Sequence, residues 1–193
     1  MVHKSEFSTR NLKSNRGDSV VHQRHTLLYD KYQIDTESAM ITDSAEIFGI
    51  DLQDPFRTTV SINNEMKVPF RIGVHKAVGG DHDFPNPGDL LCASLASCFE
   101  STLRMISNKL GIELFETKIR ATAKVDVRGT LMIDKSVPVG FQSMHVDALI
   151  IAKNTNEKLL NTLITGAKHS CIVYQTIKKG TPITLDINIE IKN

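Results

Sequence analysis

The sequence predicts an α+β fold in which amphipathic strands turn one face to helices and the other to water. Three observations carry this. Residues 86–111, NPGDLLCASLASCFESTLRMISNKLG, read as one long helix. Residues 117–127, 142–152 and 183–191 alternate apolar and polar side chains with the period of half-buried strands. The elements follow in the order strands, helix, strands, helix, strand, which is not the regular alternation of a doubly wound parallel sheet.

The bulk numbers narrow the function classes. A chain of 193 residues makes one domain the default, and a chain of this size buries roughly 70% of its unfolded surface. With 23 basic against 22 acidic residues and 6% aromatics, neither an electrostatic footprint nor a stacking platform for nucleic acid is present. No apolar run approaches the ~20 residues of a membrane span. The N-terminus lacks an apolar signal core, so the expectation is a cytoplasmic chain. The three cysteines, Cys92, Cys98 and Cys171, are odd in number and lack a C-x-x-C spacing. That argues against a disulfide framework or a zinc ribbon.

Taken in order, residues 1–20 are polar and irregular and read as a tail. Residues 21–33 form a short helix, and 39–49 and 56–62 are extended. Asn63–Asn64 suits a turn. Residues 68–76 alternate as a strand, with Phe70, Ile72 and Val74 on one face and Arg71, Gly73 and His75 on the other. Residues 79–85 form a loop leading to the long helix. Asn86 caps that helix, Pro87 suits its first position, Asp89 favours the positive end of its dipole, and Gly111 ends it. Charge within it is confined to its ends and to the i,i+4 pair Glu100 and Arg104, so the helix is expected to be covered on several sides.

Beyond Gly111, Ile119, Ala121, Ala123, Val125 and Val127 face inward along 117–127. Arg128–Gly129 marks a turn, and 130–134 is a short strand candidate. Met144, Val146, Ala148 and Ile150 face inward along 142–152. Asn154, with Glu157 in capping-box position, is expected to open a helix that runs to Lys179 and stops at Gly180. In the last strand Ile183, Leu185, Ile187, Ile189 and Ile191 share a face.

Helical spacing separates the cysteines. Cys92 shares a stripe with Ala96, Phe99, Leu103 and Ile106 and reads as core. Cys98 shares its face with Leu91, Ser94, Leu95, Ser101, Thr102 and Met105, which leaves room beside the sulfur for a small pocket. Cys171 sits in AKHSCIVYQTIKKG with Lys168 three residues before it, close enough on a helix to lower a thiol pKa if it turns inward. Two readings stand at this point. Mid-helix cysteines are commonly small buried hydrophobes. Alternatively one thiolate attacks a peroxide, becomes a sulfenic acid and condenses with the other thiol.

The stretch NPGDLLCASLASCF resembles the first signature of the OsmC/Ohr family, in which Asn-Pro opens the central helix ahead of a cysteine. AKHSCIV, followed by QTI and a glycine, resembles that family's second cysteine helix, and the likeness spans about residues 55–191. The resemblance divides the chain into an N-terminal extension, 1–50, and an OsmC-like domain, 51–193. It implies antiparallel sheets packed around two long central helices in an intertwined homodimer, with active sites at the subunit interface. Carried over by position, Cys98 is the peroxidatic thiolate and Cys171 the resolving thiol. The implied substrate is a small organic hydroperoxide, and a dithiol, such as a lipoylated protein, recycles the disulfide. No metal or organic cofactor is implied.

Two departures accompany the likeness. Family peroxidases usually carry a glutamate directly after the Asn-Pro, where this chain has Gly88, and a proline after the second cysteine, where it has Ile172. Asp89, the nearest acid, lies about 100° round the helix. Arg71 and His75 are the candidates for activating the Cys98 thiolate, with Arg57 and Arg104 behind them. The alternative function is a non-catalytic dimer of the same fold that binds a small apolar ligand at the subunit interface. Asp81–His82–Asp83 lacks further ligands at metal-binding spacing and reads as a solvated loop. His169 points about 160° away from Cys171 on a helix and does not serve as its base.

Overall fold

The computed structural model describes residues 19–47, 49, 51–63 and 68–191. In chain order its elements are α1 (Val20–Ile34), β1 (Ala45–Ile47), β2 (Arg57–Ile62), β3 (Val68–Gly73), α2 (Pro87–Leu110), β4 (Glu113–Lys124), β5 (Ser143–Lys153), α3 (Glu157–Ser170) and α4 (Ile172–Lys179). The tail expected before residue 19 lies outside the described residues, as does Asn64 of the expected turn. Asn63 itself has φ 55°, the left-handed conformation that turns use and that asparagine tolerates.

α2 forms where the sequence places it, and its ends show why. The Asn86 side chain accepts from the N–H groups of Gly88 (2.8 Å) and Asp89 (3.2 Å), while the Asp89 carboxylate accepts from the Asn86 N–H at 3.0 Å. This reciprocal cap satisfies donors that the first helical turn leaves without partners. Gly111 ends the helix at φ 67°. α1 lies against the far end of α2: the Val21 N–H donates to Asn108 Oδ1 at 3.3 Å, and Lys109 donates to the Tyr29 hydroxyl.

β1, β2 and β3 form one antiparallel sheet in that order, with Val60 opposite Phe70 and Thr59 opposite Arg71. β4 and β5 form a second antiparallel pair with a bulge between Leu114 and Glu116, placing Ile119 opposite Ala148 and Ala121 opposite Val146. The core lies where this pair, α2 and α3 meet, around Phe99, Leu103, Ile112, Leu163, Ala167 and Cys171. Leu103, Leu163 and Cys171 are fully enclosed. Gly166 permits the close crossing of α3 over α2, since a Cβ there would stand 3.3 Å from Ile106.

Several expectations are corrected. Among the described residues of 39–49 only β1 is a strand, after a 3-10 turn at Glu37–Ala39. The strand expected over 68–76 ends at Gly73, and His75 instead caps a 3-10 turn by accepting the Ala77 N–H on Nδ1 at 3.0 Å. The strand expected over 117–127 starts earlier and stops at Lys124, so Val125 and Val127 lie beyond it. Residues 130–134 form no strand. They belong to a compact turn in which Asp134 accepts from Ser136 and Gln142 holds the carbonyls of Pro138 and Gly140. The cap of α3 is Asn156, which accepts the Leu159 N–H at 2.9 Å; Asn154 sits at φ 51°, outside the helix. The helix expected to run to Lys179 breaks at Cys171, with backbone angles of −73° and 111°. Residues 183–191 form no strand, and their five aliphatic side chains are all exposed. α2 buries one face, through Leu95, Phe99, Thr102, Leu103 and Ser107, rather than several.

Candidate functional site

The site forms where α2 crosses the break between α3 and α4. Cys98 projects from the middle of α2, which is fixed at both ends by its caps. Cys171 stands at the break, where its N–H still donates to Ala167 and its carbonyl already accepts from Gln175. The Gln175 side chain reaches back to the Lys168 carbonyl at 2.7 Å, supplying a partner that the interrupted helix leaves missing. Ile172, standing where the resemblance leads one to expect proline, therefore coexists with a helix break.

This arrangement brings Cys98 Sγ and Cys171 Sγ to 3.3 Å. A disulfide needs about 2.05 Å, so bond formation asks for an approach of about 1.2 Å. Both thiols are free. Cys171 is fully buried, and burial pushes its thiol up to about 11, partly opposed by the Tyr174 N–H that donates to its sulfur at 3.4 Å. Cys98 is half-buried. Cys92, expected in the core, is half-buried as well; burial raises its thiol pKa and the Asp89 carboxylate adds to the rise.

The expected cations are occupied elsewhere. The Arg71 guanidinium stands over the Phe84 ring, 4.7 Å from its centroid. His75 stacks against His82 at 4.5 Å. Arg57 is held by Asp54 and Asp83, each at 2.9 Å, and by Asp81, which lowers the carboxyl pKa of Asp54 and Asp83 through hydrogen bonding. Arg104 pairs with Glu100 at 3.1 Å. Among the described residues, no arginine, lysine or histidine hydrogen-bonds either sulfur, and no cluster of three or more His, Cys, Asp or Glu is arranged to hold a metal ion.

Beside the thiols runs a groove of about 720 Å³ between α2, β5 and the α3–α4 break. Leu91, Leu95, Phe99, Val146, Ile150 and Tyr174 line it together with Lys168 and Lys178, and neither sulfur is among its lining residues. Phe141 also lines it. A Cβ at Gly88 would stand 3.0 Å from that ring, so an aromatic side chain from the β4–β5 connection occupies the space into which a residue at 88 would project. Sequence reasoning missed Phe141, and it placed Tyr174 and Gln175 beside Cys171 only as neighbours on one unbroken helix. No local pattern marks Phe141, because its place depends on Gly88, a distant segment, while the contacts of Tyr174 and Gln175 depend on the helix break at Cys171.

The architecture matches known structures. An OsmC-like protein of unknown function from Vibrio cholerae superposes with a TM-score of 0.57 at 12% identity, covering 71% of this chain and 94% of that one. An OsmC-like protein from Mycoplasma pneumoniae gives 0.57 at 12% identity, covering 72% and 89%. An organic hydroperoxide resistance protein from Elizabethkingia anophelis gives 0.54 at 20% identity, covering 73% and 91%. At these identities the likeness establishes the fold. No curated protein matches the sequence. Among the described residues, no helix is long and apolar enough to cross a membrane. The family model described as OsmC-like protein matches residues 80–186, more than half of the 193 residues, and takes in both cysteine helices. The chain therefore belongs to the OsmC-like protein family.

Proposed function

We propose that the chain is a homodimeric, thiol-dependent peroxidase that reduces small organic hydroperoxides in the cytoplasm. The observation that carries this reading is the 3.3 Å separation of Cys98 and Cys171 Sγ. The Cys98 thiolate attacks one peroxide oxygen, the O–O bond breaks, and the alkoxide leaves and takes a proton to become the alcohol. Cys98 is then a sulfenic acid. The Cys171 sulfur attacks it, its proton departs with the hydroxyl as water, and a disulfide forms. A dithiol reductant, such as a lipoylated protein, reduces the disulfide and becomes oxidised in turn. The roles follow from environment: burial keeps Cys171 a protonated thiol, while Cys98 retains access to solvent.

Dimerisation is supported by residues 183–191. Ile183, Leu185, Ile187, Ile189 and Ile191 are each between 67% and 91% exposed, although they alternate as a strand does. A second copy would cover them and the open faces of α2. Arg71 and His75 are then the candidates to act on Cys98 across the subunit interface; within one chain the first stands over Phe84 and the second stacks on His82. The division into an extension over 1–50 and an OsmC-like domain over 51–193 forms part of the same proposal.

The test is peroxide consumption. Reduced protein is expected to consume cumene hydroperoxide with a dithiol present. Cys98→Ser loses the reaction, and Cys171→Ser stops after one equivalent with a dimedone-reactive sulfenate at Cys98. Absence of turnover with any dithiol, together with an unoxidised Cys98, refutes the reading. The apolar groove, lined in part by Phe141 and by neither sulfur, favours a second reading, a dimer that binds a small apolar ligand without chemistry. Ligand binding intact in Cys98→Ser, with no thiol oxidation in the native chain, would select it.

A further inference from the structure

Cys171 occupies two places in the structure at once. Its sulfur stands 3.3 Å from Cys98 Sγ, and the same sulfur accepts the Tyr174 N–H at 3.4 Å as the N-cap of α4. The first N–H groups of a helix have no partners within it. Gln175 N–H reaches the Cys171 carbonyl, whereas the Tyr174 N–H depends on the sulfur alone. We infer that Cys171 couples the redox state of the thiol pair to the first turn of α4, so that forming the disulfide releases the cap and frees that turn.

The geometry sets the direction of movement. Closing the sulfur gap takes about 1.2 Å, and the two sides are not equally free to move. Cys98 sits inside a 24-residue helix with a capping box at one end and a left-handed glycine at the other. Cys171 sits at a break between two helices, with extended backbone angles and only the eight-residue α4 after it. The shift therefore falls mainly on Cys171 and draws on the 3.4 Å contact between its sulfur and the Tyr174 N–H.

What α4 carries gives the device its use. Tyr174 rests beside Phe99, with ring centroids 6.3 Å apart, and Tyr174, Ile177 and Lys178 form one wall of the groove. Cys171 is wholly buried in the reduced chain. A dithiol reductant has to reach a bond formed in that interior, and release of the α4 turn opens the wall beside it. The inference rests on the proposed disulfide, but not on hydroperoxide as its source.

The experiment uses the full-length protein, reduced or oxidised with diamide. Diamide takes two electrons and two protons from the thiols as the S–S bond forms. Amide exchange is followed by NMR at Tyr174, with α2 and α3 amides reporting on the intact fold. Oxidation is expected to speed exchange at Tyr174 at least tenfold and leave Leu103 and Leu163 unchanged. Cys171→Ala should show the fast rate without oxidant. Cys171→Ser, which keeps an oxygen cap, should stay slow with or without diamide. An unchanged Tyr174 rate on oxidation, or a slow rate in Cys171→Ala, overturns the inference, as does failure of diamide to form the bond. A disulfide that forms with diamide and never with hydroperoxide would refute the peroxidase reading alone.

Discussion

Replacing Ile187 and Ile189 together by glutamate tests whether the exposed face of residues 183–191 belongs in an interface. The five aliphatic side chains there are 91%, 80%, 67%, 81% and 86% exposed in chain order. Full burial of such a side chain is worth about 1.5–3 kcal/mol, so covering all five contributes about 8 kcal/mol per segment. Two symmetry-related segments then contribute about 16 kcal/mol, against an association cost on the order of 4–15 kcal/mol. The interface closes only if both segments are covered well. The double substitution removes about 3 kcal/mol of apolar burial per protomer, or about 6 kcal/mol per dimer, before any cost of burying carboxylates. That corresponds to a loss of about 10⁴-fold or more in dimer affinity. Light scattering on a sizing column at micromolar concentration reads the outcome. The native chain should run at twice its 21.5 kDa mass and the variant at that mass. A monomeric native chain, or a variant that stays dimeric over the same dilution series, refutes the reasoning.

Three further predictions follow from particular contacts. Gly88→Glu should lower stability by about 1–3 kcal/mol, because its Cβ meets both the Phe141 ring and Asn86 Oδ1 at 3.0 Å, and Phe141→Ala should relieve part of that loss in a double-mutant cycle read by urea unfolding. The buried Cys171 thiol, raised to about 11, stabilises the fold below the pKa of an unfolded thiol, and this contribution is lost as pH climbs through the folded value. Unfolding free energy of the native chain relative to Cys171→Ser should therefore fall by about 2–3 kcal/mol between pH 8.5 and 11, and a constant difference would refute the assignment. Asn156→Ala should cost about 1 kcal/mol by removing the cap on Leu159, whereas Asn154→Gly should be nearly neutral because φ 51° suits glycine, both read by thermal unfolding.

The elements legible in the sequence are those held by neighbours in the chain. α2 starts at Asn86 and ends at Gly111 because a side chain two or three residues away, or a missing Cβ, satisfies its terminal groups. β4 and β5 were legible because their alternation matches a sheet with one wet face, and the two cysteine motifs pointed to the family that the chain proved to belong to. The cap of α3 misled because Asn154 and Asn156 have the same chemistry, and only the backbone path out of β5 selects the second. The strand expected over 183–191 found no partner among the described residues: its pattern describes a face to be covered, and does not say by what.

Tertiary structure decided the rest. Sulfurs 73 residues apart meet because small residues let α3 approach α2, and no spacing encodes that distance. The break at Cys171 arises where Gln175 and the Cys171 sulfur satisfy groups that an unbroken helix would have paired internally. Phe141 fills the place beside Gly88 because a turn stitched by Asp134 and Gln142 carries it there. Short-range hydrogen bonding wrote the elements into the sequence, while burial between distant segments determined which cysteines share one site and which cations stand apart from it.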